Sequence, residues 1–361
     1  MVSKQEVKDC IKGKSNSKIP LYYWFVDEQF IKKYPEDVKE MKKEYENDIL
    51  TSFYIPEAQT EDFLINPLYI KRINNETILK PNEFTDEWGC IFATAEGGVG
   101  SNPSRAIIHN LAEWKDYLNN YIPLIDKEGG IKYLRNFIMN NPDKYVLADL
   151  WRTFYTRIAF LIGMEELFIE IASGGKLFQE MIPVCRDISI ELIKVVGEAG
   201  VDGVLLDDDW GTQDRLLISP ESWRKYFKPG YKEMIDAAHN MGMEVFLHSC
   251  GNITELIPEW IDLKLDVVGH LQPFALNLKE IAEKFNGQIS FMGGIDIQFN
   301  LIKGIPESIR EEVRSLIKMF NAFEGRYICS PSNTIMPETP VENVRALFKA
   351  MKELSNIENA G

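Results

Sequence analysis

The sequence predicts an α/β fold, a (β/α)₈ TIM barrel with an irregular N-terminal extension. Two observations predict it. From about residue 145 onward, short apolar runs alternate with amphipathic stretches, and polar residues suited to chemistry follow several of the runs directly. Strand, loop and helix repeated in this way build a parallel sheet with right-handed crossovers. A closed parallel barrel presents its chemistry at the C-terminal ends of its strands. The 361 residues are read as one such domain, 1–361, because α/β barrels routinely exceed the average domain length.

The N-terminal third comes first and is the least regular. A polar helix over 4–13 precedes a strand-like run, Leu21 to Val26. A charged helix over 35–47 leads to a second strand, Ile49 to Tyr54. Residues 83–109 mix alternating apolar residues with glycines and read as a hairpin or a loop covering a pocket. The regular part then supplies strands at Tyr145–Leu147, Gly203–Leu206, Glu244–Leu247, Val267–Gly269, Ile289–Met292 and Tyr327–Ile328. Helices are expected over 176–198, 220–241, 253–261, 277–285, 306–320 and 340–354. With the two early strands the count reaches eight. The rival is an open doubly wound sheet, whose dinucleotide-binding form is disfavoured because no GxGxxG follows a first strand.

Composition narrows the partners. A net charge of −15 disfavours a nucleic-acid ligand, since phosphate binding needs a basic surface. No apolar run approaches the roughly 20 residues of a membrane span. The opening MVSKQEVKDCIKGK has no apolar core of a signal peptide. Five widely spaced cysteines, Cys10, Cys90, Cys185, Cys250 and Cys329, form no disulfide pattern, so a reducing cytoplasm is the expected setting.

Chemistry is expected at four strand ends. His248-Ser249-Cys250 follows one apolar run, and in extended chain residues i and i+2 share a side. An imidazole and a thiolate can therefore meet one metal ion, and a catalytic zinc needs three protein ligands and an open position. Cys329, at another strand end, is a candidate for the third. A buried cysteine beside a hydrogen-bonded histidine, with no metal, is the competing reading. Asp207, Asp208 and Asp209 end the 203–206 strand, and alternation sends Asp207 and Asp209 one way and Asp208 the other. At least one is expected to ligate metal or handle a proton, although such acidic runs commonly form solvated turns. His270 reads as an ordinary core histidine, and Gln272 follows the same strand. Trp24, Trp88, Trp151 and Trp210 either line a pocket for an aromatic substrate or pack in the core.

The segments FLHSCGN at 246–252, MGGIDIQ at 292–298 and YICSPSNTIMPETPVENV at 327–344 together resemble the uroporphyrinogen decarboxylase-like superfamily. DEWGC at 86–90 and the stretch DDDWGTQDRLLISPESWRKYFKPGYK at 207–232 are similar to a subgroup of it. The resemblance covers about 85–345. It implies one of two chemistries. True decarboxylases bind a polycarboxylated tetrapyrrole and resemble one another in an arginine-rich N-terminal segment. Here the matching stretch, IPLYYWFVDEQF at 19–30, has no arginine and carries Asp27 and Glu28, the wrong sign for that substrate.

The resemblance therefore points to the corrinoid-dependent methyltransferase branch, with an HxC…C zinc site. It implies zinc on His248 and Cys250, a corrinoid carried by a partner protein, and a small methyl donor such as a methoxylated aromatic. In the coenzyme M methyltransferases the third ligand is a cysteine after the proline of the last motif. Asn333 stands at that position here, and Cys329 lies four residues earlier. That departure favours a demethylating, O-demethylase-type component over a thiol acceptor, with Cys329, or Asp207 or Asp209, completing the metal shell. Trp24, Trp210, Gln272 and Asn333 are the expected substrate-binding residues. The alternatives are a decarboxylase of a tetrapyrrole or a smaller carboxylate, and a non-catalytic barrel that binds corrinoid or tetrapyrrole. The oligomeric state is left open, a homodimer among the options.

Overall fold

The computed structural model describes residues 2–23, 27–52, 68–70, 78–95, 98–99 and 102–356. Seven strands form one parallel sheet in chain order: β1 (Ile49–Thr51), β2 (Tyr145–Asp149), β3 (Gly203–Asp207), β4 (Glu244–His248), β5 (Val267–Leu271), β6 (Ser290–Gly293) and β7 (Tyr327–Ile328). Strand order equal to sequence order is the pattern of repeated right-handed crossovers. Parallel strands are buried on both faces, which is why Val204–Leu206 and Val245–Leu247 are continuously apolar.

The eighth position is filled by residues 20–22. Leu21 bridges Cys329 in parallel; Tyr22 N–H donates to the Cys329 carbonyl at 3.0 Å, and Cys329 N–H to the Pro20 carbonyl at 3.0 Å. On the other side Asp48 N–H donates to the Leu21 carbonyl at 3.1 Å. The expected strand from Leu21 onward is nevertheless only a bridge among the described residues. Side chains replace the backbone ladder there: Asp48 Oδ2 accepts from Leu21 N–H at 2.9 Å and Asn47 Oδ1 from Tyr23 N–H at 2.6 Å. Residues 24–26 and 53–54 of the two expected early strands lie outside the described residues.

Side-chain alternation divides the core in two. Ile49, Tyr145, Leu147, Leu205, Phe246, Val267, Met292 and Ile328 fill the barrel interior. Val7 and Ile11 of helix α1 (Lys4–Ile11) join them and plug the N-terminal end. Lys4 and Lys8 of α1 hold that plug through Asp202, each at 2.9 Å. The outward residues of the strands pack against helices, among them α2 (Phe154–Ile162), α3 (Lys176–Ala199) and α4 (Lys228–Asn240). The helix expected over 220–241 is two, Pro220–Tyr226 and α4, because Pro229 lacks the N–H that would continue the first.

Residues 83–109 contain an antiparallel set of strands, Glu83–Thr85, Ile91–Ala95 and Gly98–Val99. A buried ion-pair cluster ties it to α2: Arg157 donates to Asp86 at 2.6 Å and to Glu87 at 3.2 Å. Asp86 also accepts from the N–H groups of Trp88 and Cys90 at 3.0 and 2.8 Å, which shapes the turn. Among the described residues no helix is long and apolar enough to cross a membrane.

Candidate functional site

The row of side chains that fills the barrel continues to its C-terminal mouth. Two residues beyond Leu147, Leu205 and Phe246 come Asp149, Asp207 and His248, each ending its strand. Asp207 and His248 are direct register partners on β3 and β4. The turn after β4 then brings Cys250 back over His248, with Sγ 3.3 Å from Nε2. Asp209 arrives from the adjacent strand end, its Oδ1 3.5 Å from the same Nε2 and 2.7 Å from the Cys250 N–H that donates to it. Ligand atoms of Asp209, His248 and Cys250 all lie within 4.8 Å of one another. Tetrahedral zinc with ordinary Zn–S and Zn–N/O bonds sets ligand–ligand separations of about 3.3–3.6 Å. The donor set and its spacing therefore fit zinc.

Surrounding groups orient these three. His248 Nδ1 meets His270 Nδ1 at 2.9 Å. Burial would lower the His248 imidazole, but the Cys250 sulfur, Asp209 and Asp149 outweigh it and bring its pKa up to about 9. Burial and the neighbouring His248 push His270 far down, so it stays neutral and can accept the His248 Nδ1 proton. His270 reaches that place through a left-handed backbone, φ 59°, where β5 bulges against β6. Gly293 makes the bulge possible, since a Cβ there would lie 2.6 Å from Leu271 N. Gln272 holds the ligand loop twice: Oε1 accepts from Gly251 N–H at 2.8 Å, and Nε2 points at Cys250 Sγ at 3.4 Å. Asn333 Nδ2 approaches the same sulfur at 3.6 Å. Two side-chain amides thus face the sulfur.

The other expected residues fall elsewhere. Asp208 turns into the helix layer. Its carboxylate accepts from Thr156 N–H at 2.7 Å, Tyr231 OH at 2.6 Å and Thr153 Oγ1 at 3.2 Å, and burial raises its pKa to about 6. It does not reach the mouth. Trp210 is fully buried rather than lining a pocket: it stacks on Tyr155 at 4.0 Å and gives its indole N–H to Tyr231 at 3.0 Å. Cys329 is also fully buried, its backbone spent on closing the barrel and its thiol pushed up to about 12 by burial. It is not part of the convergent group. Trp24 lies outside the described residues. Asp207 stays at the mouth, where burial first and then Asp209, Asp149 and Asp208 raise its pKa well above the usual carboxylate range. Asp149 is raised to about 6, chiefly by burial.

A closed parallel barrel with a histidine–cysteine–aspartate group at neighbouring strand ends defines the class: a barrel with a candidate metal centre at its mouth. The uroporphyrinogen decarboxylase (URO-D) family model matches residues 155–354, more than half of the chain, and the protein belongs to that family. It is similar to methylcobamide:CoM methyltransferase MtbA of Methanosarcina acetivorans, 24% identical over 191 residues, 53% of each protein. It is also similar to uroporphyrinogen decarboxylase of Thermus thermophilus, 25% identical over 182 residues, 50% of this chain and 49% of that one. The matched region spans about half the length of these curated relatives. A solved methyltransferase from Methanosarcina mazei superposes over 98% of this chain and 99% of its own, with a TM-score of 0.66 at 15% identity, and so shares the fold.

Proposed function

We propose that this protein is a zinc-dependent methyltransferase that moves a methyl group from a small donor, such as a methoxylated aromatic, to a corrinoid held by a partner protein. The observation that carries the reading is the convergence of Asp209, His248 and Cys250 at the barrel mouth. Zinc held by these three would supply Lewis-acid activation of the heteroatom that bears the methyl group. His270 fixes the tautomer and tilt of His248, the usual task of a second partner behind a metal-binding imidazole. Gln272 and Asn333 hold the Cys250 sulfur in place. Asp207, beside His248 in register, would hold a proton for the leaving oxygen.

Similarity to relatives named methylcobamide:CoM methyltransferase supports a corrinoid reaction partner. The same face of the barrel carries an exposed aromatic pair, Phe274 and Phe299, on the loops after β5 and β6, with ring centroids 4.5 Å apart. A ligand thiolate must stay reduced, so the reading places the protein in the cytoplasm.

Relatives named uroporphyrinogen decarboxylase support a second reading, decarboxylation of a carboxylated substrate with Asp207 as proton donor. One experiment separates the two. Zinc-loaded protein is mixed with cob(I)alamin and a panel of methoxyarene, methylamine and methylthiol donors, and the corrinoid spectrum is followed. Conversion to methylcobalamin, lost in Cys250→Ala, supports methyl transfer. An unchanged spectrum together with carbon dioxide release from a carboxylated tetrapyrrole would replace it with the decarboxylase.

A further inference from the structure

The loop after β2 carries an arginine with no counter-ion in contact among the described residues. Arg152 is 6% exposed, and its Nη1 is buried without a hydrogen-bond partner among the described residues. Aromatic rings enclose its guanidinium instead: Trp151 at 3.8 Å, Phe92 at 4.4 Å and Phe160 at 5.0 Å from the ring centroids. Burial lowers its pKa to about 10, and Asp86, Glu87 and Asp207 restore only part of the loss from a distance. Five residues on, Arg157 shows the ordinary solution to the same problem, with Asp86 and Glu87 in direct contact. Burying a charge without a partner is costly, so it persists where something else requires it.

The backbone is also held out of its ordinary range at this point. Trp151 and Arg152 have φ of 24° and 56°, and neither is a glycine. Asp149 Oδ1 accepts from Trp151 N–H at 2.9 Å, and Thr153 N–H and Oγ1 reach the Asp207 carbonyl at 3.2 and 3.4 Å. These bonds fix the loop against the end of β3, at the rim that carries the metal group. Backbone strain maintained by surrounding bonds is a frequent mark of a ligand clamp.

We propose that Arg152 is the anion-recognition residue of the active site and takes the carboxylate of an aromatic methyl donor at the barrel rim. A guanidinium presents two parallel N–H groups that match a carboxylate, and the partly exposed ring of Trp151 offers flat apolar surface to the arene beside it. The inference rests on the methyltransferase reading for the identity of the donor, not for the presence of the anion site.

The test is calorimetric titration of the zinc-loaded protein with 3-methoxybenzoate and with its neutral counterpart 3-methoxybenzamide. Wild type is expected to favour the carboxylate by at least about tenfold. Arg152→Gln should reduce that preference to within about twofold, and Arg152→Lys should fall between, because it keeps the charge but loses the fork. Equal binding of the two compounds by wild type, or an undiminished preference in Arg152→Gln, overturns the proposal. Should Arg152→Gln fail to fold, the wild-type preference and the Arg152→Lys value decide it. Zinc content is measured on the same samples: zinc without the carboxylate preference removes only the anion site. The preference without zinc removes the metal reading and leaves the anion site standing.

Discussion

His248 and His270 face one another through their Nδ1 atoms at 2.9 Å, across paired strands β4 and β5. Only one proton fits between two such nitrogens, and the low basicity of buried His270 assigns it to His248. Zinc would take the place of the proton on His248 Nε2, the nitrogen directed at Cys250 and Asp209. His270→Ala is therefore expected to weaken zinc affinity by about 10–100-fold, the usual effect of removing such a partner. Chelator competition measures it. Unaltered affinity in a folded variant would show that His248 needs no orientation from His270.

Neighbouring aspartates should separate by function. Asp209→Ala removes an oxygen from the convergent group and is expected to lower zinc affinity while leaving the fold intact, since Asp209 is exposed. Asp208→Ala strips an acceptor from Thr156, Tyr231 and Thr153 in a buried site. It should keep zinc but lose on the order of 1–3 kcal/mol of stability or more. Metal analysis and urea unfolding on both variants check the pair, and the reverse pattern would contradict the assignment.

How much of this was legible in the sequence follows from burial and spacing. Parallel strands enclosed on both faces appear as apolar runs, so Val204–Leu206 and Val245–Leu247 are plain, and alternation alone separates Asp208 from Asp207 and Asp209. His270 gave no distinguishing signal. Its role depends on a bulge permitted by Gly293, more than twenty residues away in the chain. Arg152 was equally hidden, because a left-handed turn at two non-glycine residues leaves no sequence signature. Trp210 and Cys329 misled for the opposite reason: both follow apolar strands, but the chain turns one into the helix layer and spends the other on closure. Strand pairing by the side chains of Asp48 and Asn47 likewise escapes any periodicity.

The Arg157–Asp86–Glu87 cluster should be a strong structural fastener. Asp86→Ala leaves a buried guanidinium short of one carboxylate and also frees the N–H groups of Trp88 and Cys90. A loss of about 3–5 kcal/mol is expected in urea unfolding. A loss under about 1 kcal/mol would mean that the hairpin contributes little to the native state.

One pH effect has a definite sign. His239 Nε2 lies 2.8 Å from Asp266 Oδ2, and that hydrogen bond, working against burial, raises the histidine pKa above 6.5. A raised folded pKa means the stabilisation is fully present below about pH 6.5 and is lost as pH rises through the folded value. The pair is partly solvated, so the contribution should stay under about 1 kcal/mol. His239→Gln is expected to flatten the stability profile in that window; an unchanged slope in pH-dependent thermal unfolding would locate the dependence elsewhere.

The most direct test of the account is the metal content of the purified protein. Wild type, Cys250→Ala and Asp209→Ala are prepared reduced and without chelator, and inductively coupled plasma mass spectrometry counts zinc per chain. About one zinc per wild-type chain is expected, consistent with a site of three protein ligands and an open position, and a large loss in both variants. Wild type free of zinc even after incubation with the ion, or full zinc in Cys250→Ala, would contradict it.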